Sequence, residues 1–110
     1  MQTSSLSALA DEQLAIARGA SSGRSAHTVY GGHDRTLRQT LIALTAGQRL
    51  DEHENPGEAT VYILNGSVRM ATDNETCDGA AGDLIIVPDA RHTLQALEDA
   101  AVLLTVAKTA

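Results

Sequence analysis

The chain is short of the residues that build several common kinds of site. Two of its 110 residues are aromatic, Tyr30 and Tyr62, and Phe and Trp are absent. Its core must therefore come from the Leu, Ile, Val and Ala that dominate an apolar fraction of 43%, a filling that suits a sheet interior. One cysteine, Cys77, excludes an internal disulfide. With no neighbouring base in sequence, it reads as a small buried or half-buried apolar residue and not as a nucleophile. No apolar run approaches the roughly 20 residues of a membrane span. The N-terminal stretch lacks both the basic segment and the unbroken apolar segment of a secretion signal, so a cytoplasmic protein is expected. Basic residues number eight against fourteen acidic ones, for a net charge of −6. They are scattered and have no aromatics among them, so the footprint of a nucleic-acid binder is missing. Also missing are a GxSxG elbow, a Walker loop, a dinucleotide fingerprint and a CxxC pair, which sets those chemistries aside.

What remains is one domain with room for a single modest core and one site. Residues 5–18 place Leu6, Leu9, Ala10, Leu14 and Ala17 on one helical stripe, and Gly19 is positioned to end it. The small polar stretch that follows reads as a loop, making residues 1–25 an N-terminal helix and linker. The helix is expected to pack on the body or on a partner subunit. From residue 26 to 110 the pattern changes to short aliphatic and β-branched runs at 26–30, 36–44, 59–64, 67–72, 83–87, 92–97 and 101–107, broken by Gly, Asn and Asp. Such spacing indicates an all-β sandwich or barrel. Asn65-Gly66 tolerates the positive φ angles of a type I′ turn and predicts a hairpin between its flanking strands. Asp73-Asn74 and the stretch 79–82 mark later turns. Leu84-Ile85-Ile86-Val87 is continuously apolar and is expected to be covered on both faces.

The chemistry-bearing residues fall in two stretches. In the first, His53 and Asn55 sit two apart, a spacing that shares one face of a strand, and Glu58 follows the Pro56-Gly57 turn. In the second, a strand ends at Pro88, turns through Asp89-Ala90-Arg91 and delivers His92 at the start of the next. A tight barrel would bring His92 opposite His53. These stretches resemble the two motifs of the cupins. Gly47, His53 and Gly66 fit the first, and Gly82 and Pro88 fit the second with correct spacing. The resemblance implies a cupin-type double-stranded β-helix, a jelly-roll barrel over 26–110, and a homodimer.

In that family two first-motif histidines, a glutamate and a second-motif histidine hold a metal. Here Asn55 occupies the second histidine position. Ala59 stands at the glutamate position with Glu58 one residue early. The strict count for the last ligand falls on Thr93, with His92 one residue early. A one-residue slip inside a regular strand turns a side chain to the opposite face, whereas a turn can absorb it. If both slips are absorbed, His53, Glu58 and His92 form the two-histidine, one-carboxylate arrangement that suits Fe(II) oxygen chemistry, with Mn, Ni or Zn as other divalent candidates. If they are not, Asn55 and Glu58 satisfy the turn, and the histidines are polar groups of a metal-free pocket.

Strand parity gives the pocket an interior of His53, Asn55, Val61, Ile63, Val68, Met70, His92 and Leu94, apolar with a small polar group, as small-molecule sites usually are. Tyr62 points outward as an intersheet or dimer contact. Arg38 alternates with Leu37 and Gln39, so it faces solvent or the pocket mouth, where it would hold a carboxylate. His27 and His33 read as surface histidines. Two functions fit: non-catalytic binding of a small molecule through His53, Asn55, Val61, Ile63, Met70, His92 and Arg38, or a metal-dependent enzyme of dioxygenase or isomerase type. A DNA-binding regulator is a distant third, because residues 1–25 hold a single helix and cannot form a helix-turn-helix.

Overall fold

A computed structural model of the chain describes residues 1–53 and 57–108, at 51–53 the backbone alone. The first element is α1 (Leu6–Gly19). Ser5 caps its N-terminus, accepting a 3.3 Å hydrogen bond from the Ala8 amide. Nine strands follow among the described residues: β1 (Arg24–Tyr30), β2 (Leu37–Leu44), β3 (Arg49–His53), β4 (Gly57–Asn65), β5 (Ser67–Ala71), β6 (Thr76–Ala80), β7 (Leu84–Ile86), β8 (His92–Ala96) and β9 (Ala100–Lys108). They form one sheet in the order β1-β2-β9-β4-β7 and a second in the order β3-β8-β5-β6. Every pairing is antiparallel, and consecutive strands repeatedly change sheets, which is the jelly roll.

The two sheets close on a core that contains Ile42, Leu44, Val61, Ile63, Val68, Met70, Leu94 and Val102. Each of these lies two residues from an inward-facing neighbour on its own strand or opposite one across a ladder, as a period of two requires. The other face of the five-stranded sheet carries α1. Ala10, Leu14 and Ala17 pack there on Leu41, Ala43 and Ala101. The helix thus packs on the body of its own chain. Gln13, on the same buried side, takes a hydrogen bond from the Ser25 hydroxyl.

Four sequence expectations give way. Asn65-Gly66 joins β4 to β5, but those strands belong to different sheets, so the dipeptide is a corner between layers and not a hairpin turn. Only Gly66 of the pair has a positive φ, +74°, and a Cβ there would lie 2.1 Å from the Asp99 carbonyl oxygen. In the stretch 79–82 the turn is confined to Ala81-Gly82, and Gly79 and Ala80 close strand β6. Gly79 is buried within it because a Cβ would press on Ile63 and Ile85 at 3.0 and 3.1 Å. The apolar run 84–87 is an edge, with Leu84 and Ile86 exposed by 56% and 68%. Cys77 is a free, exposed thiol on β6, the outermost strand of its sheet. Among the described residues no helix is long and apolar enough to cross a membrane.

Candidate functional site

The two ends of the barrel differ. At one, Leu44, Ala100 and Ile63 are essentially inaccessible, and Asp99 ties the chain together. Its carboxylate accepts from the Ala46 amide at 2.9 Å and from Arg18 Nε at 2.8 Å. The hydrogen bond from Ala46, followed by that from Arg18, holds the Asp99 carboxyl below the ordinary carboxylate range, against a smaller opposing effect of desolvation.

At the other end lies a cavity of about 20 Å³ bordered by Ile42, Val61, Met70, His92, Leu94 and Leu104. A space of that size holds one water-sized group. His92 supplies the polar character. It is 4% exposed, and Gln13 is the only other buried polar residue among those described. His92 Nδ1 lies 2.8 Å from the Ala90 carbonyl oxygen, which can only accept, so Nδ1 carries the proton. The neutral imidazole therefore has its lone pair on Nε2, and the 88–91 turn fixes the ring plane.

Local chain geometry explains how His92 reaches the interior. Along β8, His92, Leu94 and Ala96 are buried while Gln95 is exposed, so the even positions face inward. The turn after Pro88 absorbs the one-residue displacement, and Thr93 does not occupy the inner position. On β3 a bulge between Leu50 and His53 inserts one extra residue against β8, changing the register from Leu50↔Leu94 to His53↔His92. The backbones of the two histidines are therefore direct cross-strand partners. The His53 side chain and the whole of Asn55 lie outside the described residues.

Glu58 is different. Along β4, Ala59, Val61 and Ile63 are buried and Glu58 and Tyr62 exposed. Gly57 already belongs to the strand, which leaves no turn to bring Glu58 round, and it projects from the outer face. The inner position holds the methyl of Ala59, 8% exposed. The described residues thus lack the carboxylate of the four-ligand metal set, and no group of three potential ligands occurs among them. They do not fit that centre.

Of the remaining sequence-derived positions, Val61, Met70 and Leu94 border the cavity, while Ile63 and Val68 fill the core beneath it. Ile42, Leu50, Val87, Val102 and Leu104 also border it, and counting by twos within 36–44 and 101–107 would have found Ile42, Val102 and Leu104. His27 and His33 are exposed and do not border the cavity. Arg38 is on the inner face. Its cross-strand partner Val106 packs on the barrel core, and directly opposite residues share a face. Arg38 Nε is buried and has no hydrogen-bond partner. Leaving such a donor unsatisfied costs roughly 1–3 kcal/mol.

The cupin domain model matches residues 40–107, well over half of the chain. A conserved protein of unknown function from Streptococcus pyogenes is 32% identical, with a TM-score of 0.73 over 83% of this chain and 79% of that one. A cupin superfamily protein from Desulfitobacterium hafniense, 17% identical, gives a TM-score of 0.71 over 78% of each chain. KdgF from Halomonas sp., 20% identical, gives 0.63 over 78% of this chain and 82% of that one. No curated protein matches the sequence. By the domain match, the chain belongs to the cupin family.

Proposed function

We propose that this cupin binds a small organic molecule at the His92 end of its barrel and does so without the family's four-ligand metal centre. The observation that carries this reading is the buried imidazole of His92, oriented by the Ala90 carbonyl, in a cavity whose other described walls are apolar side chains. His92 makes the orienting hydrogen bond, and Val61, Met70 and Leu104 enclose the apolar part of the ligand. Ile63 supports the floor from below.

A metal enzyme built on His53, Glu58 and His92 would need Glu58 to leave the outer face. Stoichiometric Fe, Mn, Ni or Zn in protein purified without an affinity tag would establish that enzyme and overturn the metal-free reading. The direct test is thermal unfolding against a library of small polar organics, with and without chelator. A ligand at a hundred times its Kd adds about 2.7 kcal/mol, which for a domain of this size raises Tm by roughly 10 °C or more. The expected result is a rise that chelator leaves intact and that His92→Leu removes.

The same protein is proposed to be a homodimer, and an exposed thiol at Cys77 suits a reducing cytoplasm. The outer face of β9, β4 and β7 pairs Leu103 with Tyr62 and Leu84, and Thr105 with Thr60 and Ile86. No charge interrupts this set. Copies that each carry −6 can meet most readily on an uncharged surface, which favours a second copy as its occupant. Light scattering should give twice the chain mass, and Ile86→Lys should give the monomer. A monomeric wild type would refute the dimer.

A further inference from the structure

Resting on the reading that the barrel binds a small molecule, we propose that Arg38 is its anion anchor and that the ligand is a short-chain hydroxy monocarboxylate. Inner-face rows run across three strands of the larger sheet. One comprises Ile42, Val102 and Ile63, the next Thr40, Leu104 and Val61, and the outermost Arg38, Val106 and Ala59. The first two rows supply four of the residues that border the cavity. Arg38 stands one inner-face step, roughly 7 Å, beyond them at the open end.

Three observations point from Arg38 to a ligand. Its Nε is buried without a partner, although an arginine fork is built to give paired donors to a carboxylate. The ion pairs formed among the described residues are Arg18 with Asp99 and Arg69 with Asp78, so no carboxylate of the described chain neutralises Arg38. The far end of its row is Ala59, whose methyl group offers the guanidinium no acceptor. Beneath that row, the cavity of about 20 Å³ takes only a small body, and His92, with its Nδ1 proton given to Ala90, offers Nε2 as an acceptor for an adjacent hydroxyl. One arginine with one imidazole matches a monoanion better than a phosphate dianion, which calls for more donors.

The experiment titrates chelator-treated wild-type protein with lactate, pyruvate, lactamide and inorganic phosphate, followed by calorimetry and thermal unfolding. Lactate should bind at least tenfold more tightly than lactamide, which keeps the shape and loses the charge, and more tightly than pyruvate, which has no hydroxyl to give His92, or than phosphate. Arg38→Met should abolish acid binding without lowering the Tm of ligand-free protein, since a methionine leaves no buried donor unsatisfied. Arg38→Lys, which keeps the charge and loses the fork, should bind at an intermediate strength. Lactamide binding as well as lactate, or Arg38→Met binding acids like wild type, overturns the anchor while the barrel site stands. Failure of every acid overturns it too, and failure of neutral polar organics as well overturns the binding barrel itself.

Discussion

The two ends of this barrel are made from the same strands and the same aliphatic residues, yet one is finished and the other is left open. At the finished end, Leu44, Ile63 and Val68 are almost wholly buried, Gly66 packs against the Asp99 backbone, and Asp99 joins the helix to the 45–47 turn. At the open end the strands carry Arg38, Ala59 and His92 inward, one donor is unsatisfied, and a small cavity persists. The contrast teaches where each property of the molecule resides. Stability belongs to the packed end, and the recognition proposed above to the end where packing and polar satisfaction are incomplete.

Mutations should separate the two ends. Ile63→Ala, at the centre of the packed end, should lose about 2–5 kcal/mol in urea unfolding, because deletion of a fully buried side chain removes its transfer free energy and leaves a cavity. Gly66→Ala should lose roughly 2 kcal/mol, since it forces a Cβ into the Asp99 carbonyl at a positive φ. His92→Leu, at the open end, should change stability by no more than about 1 kcal/mol while eliminating ligand-induced stabilisation. A large loss of stability there, with binding retained, would break the comparison.

The smallest effect concerns acid. The Asp99 carboxyl titrates below its unfolded value, so its contribution is fully present above that value, near 3.9, and is lost as pH falls through the lower folded value. Asp78, held low by its hydrogen bond with Arg69, acts in the same direction. Wild-type protein should lose stability as the pH drops below about 4. Asp99→Asn should flatten that decline without removing it.

Much of the fold can be read from the sequence because it rests on local periodicities. The α1 stripe and the alternation in β4 and β5 each identify their buried faces, and Gly47, Gly66 and Gly82 all adopt the positive φ that their places in the motifs suggest. Asn65-Gly66 misleads because the same backbone freedom serves a hairpin and a corner between sheets. Gly79 misleads because its reason is the approach of Ile63 and Ile85, side chains distant in sequence. The apolar run 84–87 shows an apolar strand without showing that it lies at an edge.

The site is legible in part for the same reason. Counting assigns Ala59 inward, because β4 is regular through that point, and the regular strand leaves Glu58 outside. Counting alone cannot place His92 inward, because that depends on how many residues the 88–91 turn consumes. Nor does it foresee the bulge that sets His53 against His92. For Arg38, the parity of Ile42 and Leu44 points inward, but a charged residue at a strand end reads equally well as solvated until the register with Val106 is known.

The most direct test of metal-free recognition at the open end is an amide NMR titration of ¹⁵N-labelled, chelator-treated protein with a compound that raises its Tm. Shifts centred on Val61, Met70, His92 and Leu104, with the amides of Leu44, Gly66 and Asp99 unmoved, are the predicted result. Shifts that require added metal, or that centre on the packed end, would contradict it.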